Sequence, residues 1–205
     1  NDAPVANSDS ATTSEDTAVT VAVLANDLDV DVDTLSVSSV APASSGSVII
    51  NTDGTLTYTP IADFNGADSF SYTISDGKGG TATATVSVTV TPVNDAPVAN
   101  ADAPPILTED SFVDVNVVSN DSDVDGDKLT VVLVTQGLTG SATINADNTV
   151  RYTPFPNFNG ADSFSYTISD GKGGTATATV IVDITASNDA PVANSDSATT
   201  SEDTA

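Results

Sequence analysis

The residues in this sequence whose types and spacing could do chemistry are carboxylates, and their spacing suits a hard cation. Residues 121–127 read Asp-Ser-Asp-Val-Asp-Gly-Asp, so Asp121, Asp123, Asp125 and Asp127 alternate along a stretch containing a glycine. Ca2+ takes six to eight oxygen ligands, and a tight acidic loop with a permissive glycine lets the backbone curl around one ion. Counted as a twelve-residue calcium loop, the closing position is Val132, so the remaining ligands must come from elsewhere. An earlier stretch has the same alternation at Asp27, Asp29, Asp31 and Asp33, with Val32 in place of the glycine. A β-branched residue disfavours positive φ, so this loop is expected either to take another shape or to bind more weakly. The competing reading is a set of solvated polar turns that keep the protein soluble. Against it stands the mutual repulsion of four carboxylates within seven residues, which a bound cation relieves.

Other chemistries lack their parts. His, Cys, Trp and Met are absent, so neither Ser/His nor Cys/His nucleophilic machinery can be built. Disulfides and the usual zinc or iron–sulfur sites are excluded for the same reason. The two Ser-Asp-Gly-Lys-Gly-Gly segments lack the Gly-Lys-Ser/Thr sequence and the strand–loop–helix setting of a phosphate loop, and read as hairpin turns. A glycosidase carboxylate pair needs a cleft, and nothing between such short strands builds one. The chain is therefore read as not an enzyme. Its 29 acidic residues against four basic ones exclude nucleic acid as a partner and argue against anionic membrane surfaces. No run of 18 apolar residues is present, so direct membrane insertion is not expected. Hydropathy is balanced and the apolar residues are strongly patterned, which points to a folded, acidic, soluble protein rather than a disordered one.

The elements that must position the carboxylates come in copies. The segment Phe64–Val86 recurs unchanged at Phe158–Val180, and Asn-Asp-Ala-Pro-Val-Ala-Asn begins at Asn1, Asn94 and Asn188. The second copy carries one extra residue near Ala103–Leu107, where Pro104 and Pro105 stand. A period this long matches whole domains strung on a chain rather than solenoid units. The expected division is repeat one at 1–93, repeat two at 94–187, and a first-strand fragment of a third repeat at 188–205. The sequence thus reads as a piece of a longer array. Period-two alternation dominates each copy, as in Ala82, Ala84, Val86, Val88 and Val90 against intervening Thr and Ser. About seven short strands per copy predict an all-β, two-sheet antiparallel sandwich of the Ig-like kind, with a small barrel as the alternative. Tyr72 and Tyr166 are expected in the core.

Alternating strand direction distributes the loops between two poles. Glu15, Asp16 and the Asp63–Asp68 turn fall at the far pole of repeat one, and the 121–127 loop with Asp170 at the near pole of repeat two. Asn94 and Asp95 lie in the linker. The same count brings Glu109, Asp110 and Asp162 towards Asn188 and Asp189, and turns the 27–33 loop and Asp76 towards whatever precedes Asn1. The first junction is expected to be complete and the second to lack its acidic loop.

Together the Asn-Asp-Ala-Pro-Val-Ala-Asn linker, the Glu-Asp before the second strand, the Asp-rich loop and the Phe64–Val86 ending resemble the cadherin-like and VCBS-type tandem repeats of large bacterial surface adhesins. The resemblance implies Ig-like domains in long extracellular arrays, secreted to the bacterial cell surface and serving adhesion and biofilm formation. It further implies Ca2+ at the interdomain joints. Carried over by position, its ligands are Glu15, Asp16 and Asp68 with Asn94, Asp95, Asp121, Asp123, Asp125, Asp127 and Asp170. The partners implied are neighbouring repeats, with any glycan or cell-surface target met through other domains. A calcium-rigidified extender is the leading reading; a module that itself binds a glycan or protein, and a surface-layer segment, are the alternatives.

Overall fold

Alternating apolar and polar residues can bury one face of a strand while leaving the other in water, and each copy uses this to close its own sandwich. The computed structural model describes residues 1–104 and 106–203; Pro105, and residues 204 and 205 of the expected third-repeat fragment, lie outside the described residues. The chain divides into two compact units, Asn1–Asn94 and Asp95–Ala205.

In unit 1 the strands are β1 (Asp9–Ser14), β2 (Val19–Val21), β3 (Ser36–Val40), β4 (Gly46–Ile50), β5 (Leu56–Pro60), β6 (Gly66–Ser75) and β7 (Thr81–Thr91). One sheet has the order β1-β7-β6-β3 and the other β2-β5-β4. The inner faces carry Leu56, Tyr58, Phe70, Tyr72, Ile74, Val86, Val88 and Val90, all buried, and the Tyr58 ring stacks on Phe70 with centroids 6.1 Å apart. A 3-10 turn at Val23–Ala25 follows β2 and drops Val23 into the same core.

Unit 2 repeats the plan with β8 (Leu107–Thr108), β9 (Val113–Val115), β10 (Thr130–Val134), β11 (Gly140–Ile144), β12 (Val150–Pro154), β13 (Gly160–Ser169) and β14 (Thr175–Thr185). Its sheets run β10-β13-β14-β8 and β11-β12-β9, and Tyr152 stacks on Phe164 at 5.6 Å. From Asn188 to Asp203 the chain forms no strand and is exposed.

Each unit departs from the antiparallel expectation in one pairing. β1 lies beside β7, and β8 beside β14, in parallel. The first and seventh strands of an up-and-down alternation run the same way, so once they are neighbours they can only pair in parallel. That pairing is continuous in unit 1, with Asp9–Ser14 opposite Val86–Thr91. In unit 2, among the described residues, it comprises Leu107–Thr108 and a bridge from Asp102 to Val180. The extra residue and the prolines fall between these two contacts, and proline has no N–H for a ladder.

Candidate metal centre

The connection from β2 to β3 presents the first acidic loop. Asp29 organises it: its Oδ1 accepts from the N–H of Asp31 (2.9 Å) and of Asp33 (3.2 Å), and its carbonyl accepts from Val32 (3.2 Å). This turn requires a left-handed residue, and Val32 supplies it at φ +62°, where Gly126 stands at +75° in unit 2. The unit 2 loop closes in the same way, with the Asp123 carbonyl accepting from Gly126 (3.2 Å) and Asp123 Oδ1 from Asp127 (3.1 Å). Of the two outcomes expected for Val32, another shape or weaker binding, the first is not seen: the aspartate hydrogen bonds hold the turn against the side chain's preference.

Within unit 1, Asp29, Asp33 and Asp76 each present a carboxylate oxygen within 4.8 Å of the others. Asp76 opens the turn between β6 and β7 and is itself buried, its carboxylate accepting from the N–H of Lys78 (2.7 Å) and Gly80 (2.9 Å) and from Asn1 Nδ2 (2.8 Å). The Asn1 side chain first, then these peptide amides, hold its pKa below the ordinary carboxylate value. In unit 2 a group of different membership, Asp123, Asp125 and Asp127, presents oxygens within 4.8 Å of one another. Asp170, equivalent to Asp76, accepts from the N–H groups of Lys172, Gly173 and Gly174.

These groups fit a hard cation. Every donor is a carboxylate oxygen, the ligand type of Ca2+ and Mg2+ rather than of softer metals. Moreover, Oδ2 of Asp29, Asp33, Asp123 and Asp127 is shielded from solvent and makes no hydrogen bond. A shielded anionic oxygen without a partner is costly, and a coordinated ion removes that cost.

A second set of carboxylates clasps the chain where it enters and leaves each unit. At entry, the Asp2 N–H donates to Asp31 Oδ2 at 2.7 Å, and the Asp95 N–H to Asp125 Oδ2 at 2.9 Å. At exit, buried Glu15 accepts from the Val93 N–H, and buried Glu109 from the Ser187 N–H at 2.6 Å. Beside them, Asp16 and Asp110 take positive φ and accept from Asp63 (3.2 Å) and Asn157 (3.1 Å). Asp16 and Asp63 present oxygens within 4.8 Å of each other. Asn188 and Asp189 are exposed, and Asn94 is exposed at the end of unit 1.

Four expected residues are occupied differently. Asp27 and Asp121 turn towards the core, where they accept from the N–H of Asn7 and Asn100 (2.7 Å each) and from the hydroxyls of Tyr72 and Tyr166. Burial, with Asp9 and Asp27 next to it, raises the Tyr72 pKa. Asp68 and Asp162 lie in β6 and β13, not in the preceding turn, and point at the β3–β4 and β10–β11 connections. Asp68 accepts from Ser44, Ser45 and the Tyr58 hydroxyl; Asp162 accepts from Leu138, Thr139 and the Tyr152 hydroxyl at 2.6 Å. Burial raises the Asp68 pKa, but the Ser45 and Ser69 amides and the Tyr58 hydroxyl outweigh it and leave it lowered; the same tyrosine is pushed up to about 12, chiefly by burial.

Sequence reasoning missed the lysines. Lys78 Nζ lies 2.5 Å from Asp33 Oδ1 and Lys172 Nζ lies 2.8 Å from Asp127 Oδ1. A signal was present: Lys78 is the only Lys or Arg in unit 1.

The bacterial Ig domain model matches this chain twice, over residues 1–89 and 94–183. The chain belongs to the bacterial Ig domain family. Among solved structures, this pair of bacterial Ig domains is similar to human CDH23 EC21-23 at TM-score 0.53 and 13% identity, covering 90% of this chain and 70% of that one. That likeness extends the fold to cadherin-like domains. An endo-fucoidan hydrolase from glycoside hydrolase family 107 also matches, at TM-score 0.37 and 22% identity, over 91% of this chain and 29% of that one. Protein GAMETE EXPRESSED 2 of Arabidopsis thaliana is 40% identical over 81 residues, which is 40% of this chain and 9% of that protein's length. Ig-like and cadherin-like domains are typically non-enzymatic. No helix among the described residues is long and apolar enough to cross a membrane.

Proposed function

We propose that this chain is a calcium-stiffened extender segment of a large secreted bacterial adhesin, serving adhesion by spacing other parts of the protein outside the cell. The carrying observation is the pair of carboxylate clasps, repeated in both units: an aspartate of the acidic loop on the entering chain and a buried glutamate on the departing chain. Val93 and Asp95, held by Glu15 and Asp125, are two residues apart in sequence, so exit and entry clasps grip one short run of chain. In this reading Ca2+ neutralises the carboxylates of each clasp and fixes the chain it grips, so the short run between the two clasps stiffens.

The proposed ligands on the entry side are Asp29, Asp31, Asp33 and Asp76 in unit 1, and Asp95, Asp123, Asp125, Asp127 and Asp170 in unit 2. On the exit side they are Glu15 and Asp16 with Asn94, and Glu109 and Asp110 with Asn188 and Asp189. When bound, the ion supplies charge neutralisation and crosslinking, not reaction chemistry. The family and the cadherin-like fold support this reading.

The test is thermal melting and small-angle scattering of the whole chain in Ca2+ and in chelator. Ion at a hundredfold excess over Kd should stabilise each site by about 2.7 kcal/mol. Chelation should lower the melting temperature and broaden the distribution of end-to-end distances. Melting and scattering curves that superimpose in both conditions would overturn the reading.

A further inference from the structure

Each unit brings one lysine onto its own acidic loop. Lys78 and Lys172 occupy the same place in the Ser-Asp-Gly-Lys-Gly-Gly turn, where Gly77, Gly79, Gly171 and Gly173 all take positive φ. The peptide N–H of each lysine donates to Asp76 or Asp170 at 2.7 Å, while its ammonium reaches Asp33 or Asp127. One lysine therefore spans from the turn's aspartate to the loop's last aspartate. The two lysine side chains are 61% and 58% exposed, whereas the carboxylates they meet are only 11% and 15% exposed. The cation can leave into water; the anion cannot. Its neutralisation is also partial, because Oδ2 of Asp33 and Asp127 makes no hydrogen bond.

We infer that Lys78 and Lys172 are tethered counter-cations that hold the acidic loops when calcium is scarce and are displaced when it binds. This rests on the calcium reading above and adds what sets the affinity. An ammonium is a compact point charge on a flexible stem, able to swing away from its carboxylate. Two consequences have opposite signs. Without the ion, the lysine offsets carboxylate repulsion and stabilises the loop. With the ion, it competes for Asp33 or Asp127 and lowers the affinity. A lysine with a merely structural role would move stability alone, and its loss would leave calcium binding unchanged or weaker.

The experiment is calorimetric titration of CaCl2 into the whole chain, comparing wild type, K78M, K172M and the double variant, with K78R and K172R as charge-retaining controls. Each methionine substitution is expected to tighten binding about twofold to fivefold, the range of an exposed ion pair. The same variants should melt at lower temperature in chelator, and the arginine variants should keep wild-type affinity. Circular dichroism in chelator confirms that each variant is folded before titration. If wild type binds calcium and the methionine variants bind equally or more weakly, the counter-cation role falls while the calcium reading survives. If neither wild type nor variants bind calcium, both fall.

Discussion

Val32 holds φ +62° and is 89% exposed, so nothing it packs against repays the conformation. A left-handed L-residue costs roughly 1–2 kcal/mol, and glycine avoids this at some expense in unfolded-state entropy. V32G should therefore stabilise unit 1 by about 1 kcal/mol, which for a domain of this size is ~4–8 °C in its melting transition. The mirror variant, G126V, should destabilise unit 2 by a similar amount, although a Cβ at Gly126 meets nothing within 4 Å. Calorimetric melts of the whole chain decide it; equal transitions for wild type and V32G would remove the strain argument. At this scale the sequence was informative about which loops are acidic, because alternation of Asp is visible in one dimension. It was silent on which oxygen faces which partner. Asp27 and Asp29 look alike in the sequence, yet one turns to a tyrosine hydroxyl and the other organises the loop, because the directions of side chains in an irregular loop follow backbone dihedrals that alternation in sequence does not encode.

Strand pairing creates the next distinction between the units. Arg151 on β12 stands opposite Asp114 on β9, with Nε and Nη2 at 2.8 and 2.7 Å from the carboxylate, and packs over the Phe112 ring. The equivalent cross-strand pair in unit 1 is Thr57 with Thr20. Arg151, then Asn145, holds the Asp114 carboxyl well down, at about 2. A folded-state pKa below the unfolded value stabilises the fold above the unfolded pKa and loses that contribution as pH falls through the folded one. Hence the advantage of wild type over R151T should hold at pH 6 and shrink between about pH 4 and pH 2. It should also shrink in molar salt, because the pair is exposed. A difference between the two proteins that is flat with pH would assign the whole effect to the ring contact. The seven-strand sandwich itself was legible from alternation and turn clusters. The parallel first strand was not, because β1 pairs with residues some 77 positions away (Asp9 with Val86) and period two carries no direction.

Over the whole molecule, the repeat is what the sequence made plainest: an identical 23-residue segment, Phe64–Val86 and Phe158–Val180, dictates identical hairpins. One further difference between the copies is the extra residue in the stretch Ala103–Leu107, and its effect is mechanical. A chain used as a tether is pulled by its ends. In each unit the first and last strands run side by side in the same direction, so tension slides one along the other and loads their hydrogen bonds together in shear. Among the described residues, unit 1 resists with a ladder from Asp9 to Ser14, and unit 2 with Leu107–Thr108 and the Asp102–Val180 bridge. Forced unfolding follows the barrier rather than the equilibrium stability. Single-molecule pulling, with a loop insertion lengthening one unit to tell the events apart, should show unit 2 yielding at the lower force; unit 1 yielding first would sink the idea. Near-identical domains would then act as links of unequal strength, the weaker one a fuse that lengthens the tether before the stronger gives way.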